Sequence, residues 1–320
     1  MKAIRMNTPG GPEVLEYVDV EEPTPGAGQV LVKVEAAGIN FADVYSRRGR
    51  GTFPSILGQE AAGTIEALGP DVSGFKVGDR VAYNGAPGAY AEKQVVPVAR
   101  LLPVPDGLST KTAAAVLLQG MTAHYLAITT YALGPNDTCL VHAAAGGVGL
   151  LLTQIAKRRG ARVIGTVSSD DKAAAAREAG ADEIVNYETT DFVEAVKSLT
   201  NGRGVDVIYD SVGKTTLLKG LDAIRPLGVM AQYGSASGEA DPIDTNLLNA
   251  KGCLYLTRAN LGTYTATREA LLQRSGDVFG WVASGDLKVR IFGEYALADA
   301  AKAHAALEQR ETIGKLILVP

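Results

Sequence analysis

The sequence predicts an α/β protein in which a doubly wound parallel sheet is inserted into a β-rich domain. Three observations carry this. Short strand-like pieces separated by Gly and Pro fill the first third, strand and helix patterns alternate from Thr138 onward, and a glycine-rich turn joins the first strand of that series to its first helix. At 320 residues the chain is too long for one ordinary core and suits two domains. The expected division is residues 1–120, completed by 265–320, and an inserted domain over 121–264.

In order, strand patterns stand at 30–37, 63–68, 80–83, 89–95 and 100–102, which suits a rolled or barrel-like sheet. Residues 113–130 read as helical. From there strands at 138–142, 162–168, 183–187, 205–210 and 229–233 alternate with helices at 147–159, 172–179, 192–199 and 215–224. Each helix returns the chain to the same end of the sheet, so the strands run parallel. Another apolar strand follows at 253–257 and a long helix at 264–283. The tail offers a short strand at 291–292, a helix near 298–308 and a last strand at 315–319, and is expected to rejoin the first domain.

The most informative segment is Thr138-Cys139-Leu140-Val141-His142-Ala143-Ala144-Ala145-Gly146-Gly147-Val148-Gly149. It is a form of the dinucleotide fingerprint G-x-G-x-x-G, with Ala144 in the first glycine's place, Gly146 in the second, Gly149 in the third and Gly147 as an extra. Gly146, Gly147 and Val148 form the turn where a pyrophosphate can lie against backbone and meet the helix N-terminus. Gly149 lets the helix pack close to its strand. The second strand ends in Ser168, where an NAD-binding fold wants Asp or Glu on the ribose. Ser168, Ser169 and Lys172 offer donors and positive charge instead, which favours NADPH. Asp170 and Asp171 stand close by, either as solvated turn residues or as acids facing the ribose.

Composition is that of a globular protein, 46% apolar and 21% charged, and a net charge of −4 argues against a nucleic-acid surface. The start, Met1-Lys2-Ala3-Ile4-Arg5, lacks a signal core, and no apolar run suits a membrane span, so a cytoplasmic location is expected. The two cysteines, Cys139 and Cys253, both fall in apolar strand-like runs and are expected to be buried. The three histidines, His124, His142 and His304, lack the spacing of a metal site, so none is expected to bind metal.

Several further stretches together are more specific than one glycine motif: Gly10-Gly11-Pro12-Glu13-Val14-Leu15, Ala37-Gly38-Ile39-Asn40-Phe41-Ala42-Asp43-Val44-Tyr45, Gly58-Gln59-Glu60-Ala61-Ala62-Gly63, Val77-Gly78-Asp79-Arg80-Val81 and Tyr209-Asp210-Ser211-Val212-Gly213. Over its whole length the chain resembles the zinc-free, zeta-crystallin-like quinone oxidoreductases of the medium-chain dehydrogenase/reductase superfamily. The resemblance implies a GroES-like first domain, a Rossmann domain binding NADPH, a homodimer, and transfer of hydride or single electrons to quinones. Zinc-dependent alcohol dehydrogenases of the superfamily carry a Cys shortly after the strand that here ends at Ala37, a Gly-His-Glu and a lobe of four cysteines. In this chain Asn40 stands in that turn, Gln59 replaces the His, and two cysteines cannot make the lobe. Without a Lewis acid an alcohol is hard to deprotonate, so the substrate is expected to accept hydride by conjugation. A quinone fits, and so does an enone or alkenal. A reading of another class is an NADPH-binding structural or RNA-associated protein with little turnover.

By position, the resemblance implies that Asn40 and Tyr45 lie beside nicotinamide and substrate and that Thr122 contacts the cofactor. Hydride transfer to a conjugated carbonyl builds an oxyanion, for which Asn40 offers an amide and Tyr45 a phenol. Two plainer roles compete: Asn40 as cap of a helical turn over 41–47, and Tyr45 as a packed aromatic. No side chain stands out as the proton donor, and water is one source. The resemblance places Lys172 and Tyr187 around the 2′-phosphate, against the alternative of a solvated helix-start lysine. Arg258 and Lys315 match family positions near the cofactor. Ser211, Tyr233 and Gly234 stand at strand C-terminal ends, where doubly wound sheets bind ligands. Arg47-Arg48-Gly49-Arg50, the one dense basic cluster, reads either as a solvated loop or as a mobile edge of the substrate site. Four residues without interleaved aromatics are weak support for RNA binding.

Overall fold

The computed structural model describes residues 1–320, which divide into two compact units, Met1–Met121 with Thr265–Pro320, and Thr122–Tyr264. The first begins with β1 (Lys2–Met6), β2 (Glu16–Asp19), β3 (Gln29–Ile39), the short helix α1 (Phe41–Tyr45), β4 (Ser55–Ile56), β5 (Glu60–Leu68), β6 (Arg80–Asn84), β7 (Lys93–Pro97), β8 (Leu101–Pro103) and α2 (Thr110–Tyr125), whose last turn belongs to the second unit. β3 is its spine. Val30, Leu31, Val32, Val34, Ala36, Ala37 and Ile39 are buried, because β5 covers one edge and β7 the other while both faces meet core. Val32, Ile65, Val81, Tyr83 and Leu101 belong to one cluster, and each such side chain taken from water contributes about 1.5–3 kcal/mol.

The second unit runs β9 (Thr138–Val141), α3 (Gly147–Arg158), β10 (Arg162–Val167), α4 (Asp170–Glu178), β11 (Glu183–Asn186), α5 (Phe192–Leu199), β12 (Val205–Asp210), α6 (Leu217–Gly220), β13 (Ile224–Gln232), α7 (Thr245–Ala250), β14 (Tyr255–Arg258) and α8 (Leu261–Tyr264). Its six strands are all parallel in the order β11-β10-β9-β12-β13-β14. This is the dinucleotide-binding order, reversing between β9 and β12, and it brings the carboxyl ends of the strands to one edge.

The tail adds α9 (Arg268–Ala283), β15 (Ile291–Ala296), α10 (Ala300–Glu308) and β16 (Lys315–Val319). β16 pairs antiparallel with the end of β3, Leu316 opposite Ile39, which sets Lys315 beside the start of α1.

Two expectations are corrected. The helix foreseen over 264–283 is broken, because Thr267 caps α9 with its hydroxyl accepting the Ala270 N–H at 3.1 Å. Cys253 is exposed in a turn with φ of 56°, ahead of the strand, while Cys139 is buried as expected. Apolar Tyr255 and Leu256 face solvent because β14 is an edge strand. Apolar content alone does not separate an edge strand from a central one. No helix is long and apolar enough to cross a membrane.

Candidate active site

In the first unit β3 ends at Ile39 and delivers Asn40 as the N-cap residue of α1. The capping alternative is thus met in position, yet the side chain is turned into a buried polar cluster. Asn40 Nδ2 donates to Glu60 Oε1 at 2.8 Å and to the Gly38 carbonyl at 3.4 Å. Its Oδ1 accepts from Lys315 Nζ at 2.8 Å and from Gln119 Nε2 at 3.3 Å. Both amide hydrogens have internal acceptors, so an oxyanion would have to displace one of them.

Glu60 and Lys315 form a fully buried ion pair, Nζ to Oε1 2.5 Å, with side chains 0% and 1% exposed. The second carboxylate oxygen accepts the Leu118 N–H at 2.6 Å. Such a pair persists in a protein interior only when its remaining lone pairs and protons are met, and here Asn40, Leu118 and Lys315 do so. Gly38 leaves room for it: a Cβ there would lie 2.8 Å from the Ala114 carbonyl and collide with the Glu60 carboxylate.

Tyr45 closes α1 partly exposed, its ring 6.1 Å from that of Phe41 and 4.9 Å from the Arg50 guanidinium. The basic cluster is not a uniformly solvated loop, which corrects that reading. Arg47 is fully buried and paired with Glu308 at 2.7 Å, and Arg48 pairs with the same carboxylate. One acid on α10 pairs with both cations but only Arg47 is buried, Arg48 staying exposed; the Arg47 contact spans 261 residues and no local pattern announces it.

In the second unit the expected cofactor residues gather at the carboxyl ends of the strands. Gly146 is the N-cap residue of α3 with no side-chain cap, so Gly147 and Val148 begin a helix whose first N–H groups lack intrahelical partners. A Cβ on Gly149 would lie 2.8 Å from the Ala144 Cα, which accounts for glycine there as close packing against the turn. At the end of β10, Ser169 caps α4, and Lys172 Nζ donates to Ser168 Oγ at 3.1 Å. Tyr187, just past β11, donates its backbone N–H to the Val167 carbonyl at 3.0 Å and so stands beside Ser168. Asp170 and Asp171 are exposed in the first turn of α4, where their charge complements the helix dipole.

Ser211 follows β12 in a turn built by Asp210, which accepts the N–H groups of Val212 and Gly213 at 2.6 and 3.0 Å. Tyr233 binds back to the Asp210 carbonyl at 2.8 Å, and a Cβ on Gly234 would lie 3.0 Å from the Ser211 Cα. Arg258 ends β14 and is exposed, whereas Thr122 is buried on α2.

The chain matches the family models of the alcohol dehydrogenase GroES-like domain over residues 26–106 and of zinc-binding dehydrogenase over 147–274. It is 45% identical over 323 aligned residues to a quinone oxidoreductase of Pseudomonas aeruginosa, covering 100% of this chain and 99% of that protein. The structure of the Escherichia coli quinone oxidoreductase complexed with NADPH matches with a TM-score of 0.97 at 41% identity, covering 100% of both chains. The chain belongs to the quinone oxidoreductase family. A 2-haloacrylate reductase from Burkholderia is 42% identical, over 97% of this chain and 96% of that one.

In this quinone oxidoreductase family member, Asn40, which by the resemblance stands in the turn where the alcohol dehydrogenases carry a zinc-ligating Cys, has its side-chain carbonyl oxygen facing the Lys315 ammonium. Glu60, Gln119, Asp43 and Tyr90 were not singled out from sequence as site residues. For Glu60 the signal is weak: an acid stands immediately before the small, apolar Ala61-Ala62-Gly63, and only the structure shows that this strand is buried at its first four positions, where a charge is costly unless paired. Its partner could not be read from the sequence.

Proposed function

We propose that the protein is an NADPH-dependent quinone oxidoreductase that works without zinc. The observation that carries the cofactor choice is the Lys172–Ser168 contact beside Tyr187 at the end of β10, where an NAD-binding fold would place an acid. The NADPH-bound relative supports the same choice. The residues fit the cofactor. Gly146, Gly147 and Val148 would receive the pyrophosphate, Lys172, Ser168 and Tyr187 the 2′-phosphate, and Thr122, Ser211, Tyr233, Gly234 and Arg258 the remainder; Lys315, expected near the cofactor, is 1% exposed with its ammonium held by Glu60 and Asn40, and so acts through Asn40.

When bound, NADPH supplies the hydride. The chain's own task is to orient the acceptor and to stabilise the oxyanion that develops on its carbonyl oxygen. We assign the donor role to the Tyr45 phenol, with Asn40 orienting it from the other end of α1 while the Lys315 ammonium holds Asn40 in place. A second reading, reduction of an activated C=C bond in an enone or alkenal, is favoured by the 42% identity to a 2-haloacrylate reductase.

NADPH oxidation is expected with 1,4-benzoquinone and to be insensitive to a zinc chelator, measured by absorbance with quinone, enone or no acceptor. Stoichiometric zinc together with activity lost on chelation would overturn the metal-free reading. Turnover with the enone alone would select the second.

We further propose a cytoplasmic homodimer. β14 is an open sheet edge with Tyr255 62% and Leu256 37% exposed, and a second copy could cover it. Light scattering is expected to give twice the chain mass of 33.3 kDa. A mass of one chain rejects the dimer.

A further inference from the structure

A line of buried polar side chains leads from the start of α1 toward the surface and has no part in the scheme above. Asp43 is 0% exposed, and its Oδ2 accepts both the Asn40 backbone N–H at 2.8 Å and the Tyr90 hydroxyl at 3.1 Å. The Tyr90 oxygen lies 3.2 Å from His304 Nε2, and His304 Nδ1 lies 3.4 Å from an Arg47 nitrogen. Arg47 is anchored by Glu308 at 2.7 Å and by the Gly10 carbonyl at 3.2 Å.

The direction of every bond in this line follows from one residue. A guanidinium only donates, so His304 Nδ1 accepts. Burial holds the imidazole neutral, its pKa pushed down to about 3, with Arg47 adding to the shift. The single ring hydrogen is therefore on Nε2 and is donated to the Tyr90 oxygen. Tyr90 has one hydroxyl hydrogen, and it goes to Asp43. The line cannot reverse, because its far end has no acceptor to offer.

We propose that Asp43 is a positioning residue of the active site: its carboxylate clamps the Asn40 backbone N–H, and the one-way chain Arg47–His304–Tyr90 holds that carboxylate in place. The clamp sets the first turn of α1, and with it Asn40 at one end and Tyr45 at the other. That these two residues belong to the active site rests on the quinone-reductase reading.

The clamp is sensitive to protonation. The groups facing Asp43 are the Asn40 N–H, the Tyr90 hydroxyl, the Lys315 ammonium on β16 and the Glu60 carboxylate on β5. Burial raises the Asp43 carboxyl to about 7; Asn40, Lys315 and Tyr90 oppose the rise, and Glu60 adds to it. The other oxygen, Oδ1, is buried without a partner and is where a proton would go. The bonds at Oδ2 are charge-assisted only while the group is ionised, so the clamp loosens as pH falls through this value.

The test has two readouts. The first is kcat for NADPH oxidation with 1,4-benzoquinone from pH 5.5 to 8.5, with NADPH affinity by fluorescence alongside. In the parent, kcat is expected to rise with pH to a plateau. Tyr90→Phe should move the midpoint up by about one to two units, since it removes a hydrogen bond to the charged form. Asp43→Asn should flatten the profile and lower the plateau about 10- to 100-fold with NADPH affinity little changed. The second readout needs no acceptor: the Asn40 amide, followed by 1H–15N NMR on deuterated protein. It should titrate with the same midpoint in the parent, shift with Tyr90→Phe, and lose the titration in Asp43→Asn.

An amide that does not respond over this range overturns the clamp, whatever the substrate. An amide that titrates while kcat with quinone does not leaves Asp43 a structural residue and overturns the positioning role. Absence of turnover with any acceptor, with the amide still titrating, would instead count against the quinone reading.

Discussion

Replacing Lys315 by Met is expected to destabilise the first unit by about 3–5 kcal/mol, because it leaves the Glu60 carboxylate buried without its cation. The Asn40 and Leu118 N–H groups would still donate to Glu60, but hydrogen bonds alone do not offset the loss of solvation of a full charge. The sign of the second step is the informative part. Adding Glu60→Gln to Lys315→Met removes the orphaned charge, so the double variant should be markedly more stable than Lys315→Met alone. Urea-induced unfolding of the parent, both single variants and the double variant measures the coupling. If the four stabilities simply add, the two side chains do not act as a pair and the reading of this cluster fails.

Lys172→Ala is expected to weaken NADPH binding by roughly 10- to 150-fold, which corresponds to the about 1.5–3 kcal/mol of a charge-assisted contact to the 2′-phosphate. NADH has no such phosphate and should bind nearly unchanged. The comparison separates a specific contact from a general loss of structure, which would weaken both cofactors. Fluorescence titration at moderate salt is the measurement, since a partly exposed lysine is screened as ionic strength rises. Equal affinity of the parent for the two cofactors would mean that Asp170 or Asp171 faces the ribose.

Both predictions involve lysines, yet the sequence treats them very differently. Lys172 is legible because its neighbours are: Ser168, Ser169 and Lys172 lie within one turn, and their place follows from counting past the glycines of the first strand and helix. Lys315 stands alone before Leu316-Ile317-Leu318, and only the family resemblance pointed to it. The same contrast separates Gly149, whose spacing announces a close helix–strand approach, from Gly38, whose need appears only once Glu60 and Ala114 are seen against it.

The sequence by itself determined the fold class, the alternation of strands and helices in the inserted unit, the glycine turn, and the serines and lysine, with no ribose-binding acid on the strand-ending residue, at the end of the second strand. These follow from periodicity and from turn chemistry over a few residues, which physics decides locally. Only the tertiary structure decided the polar interior of the first unit. Glu60 and Lys315 are 255 residues apart, and Arg47 and His304 are 257 apart. They meet because β16 pairs with the end of β3 and α10 belongs to the same unit. A buried charge or imidazole gives no local pattern of its own; its cost is met by partners that the chain brings in from elsewhere, so its role is fixed by topology and not by its neighbours in sequence.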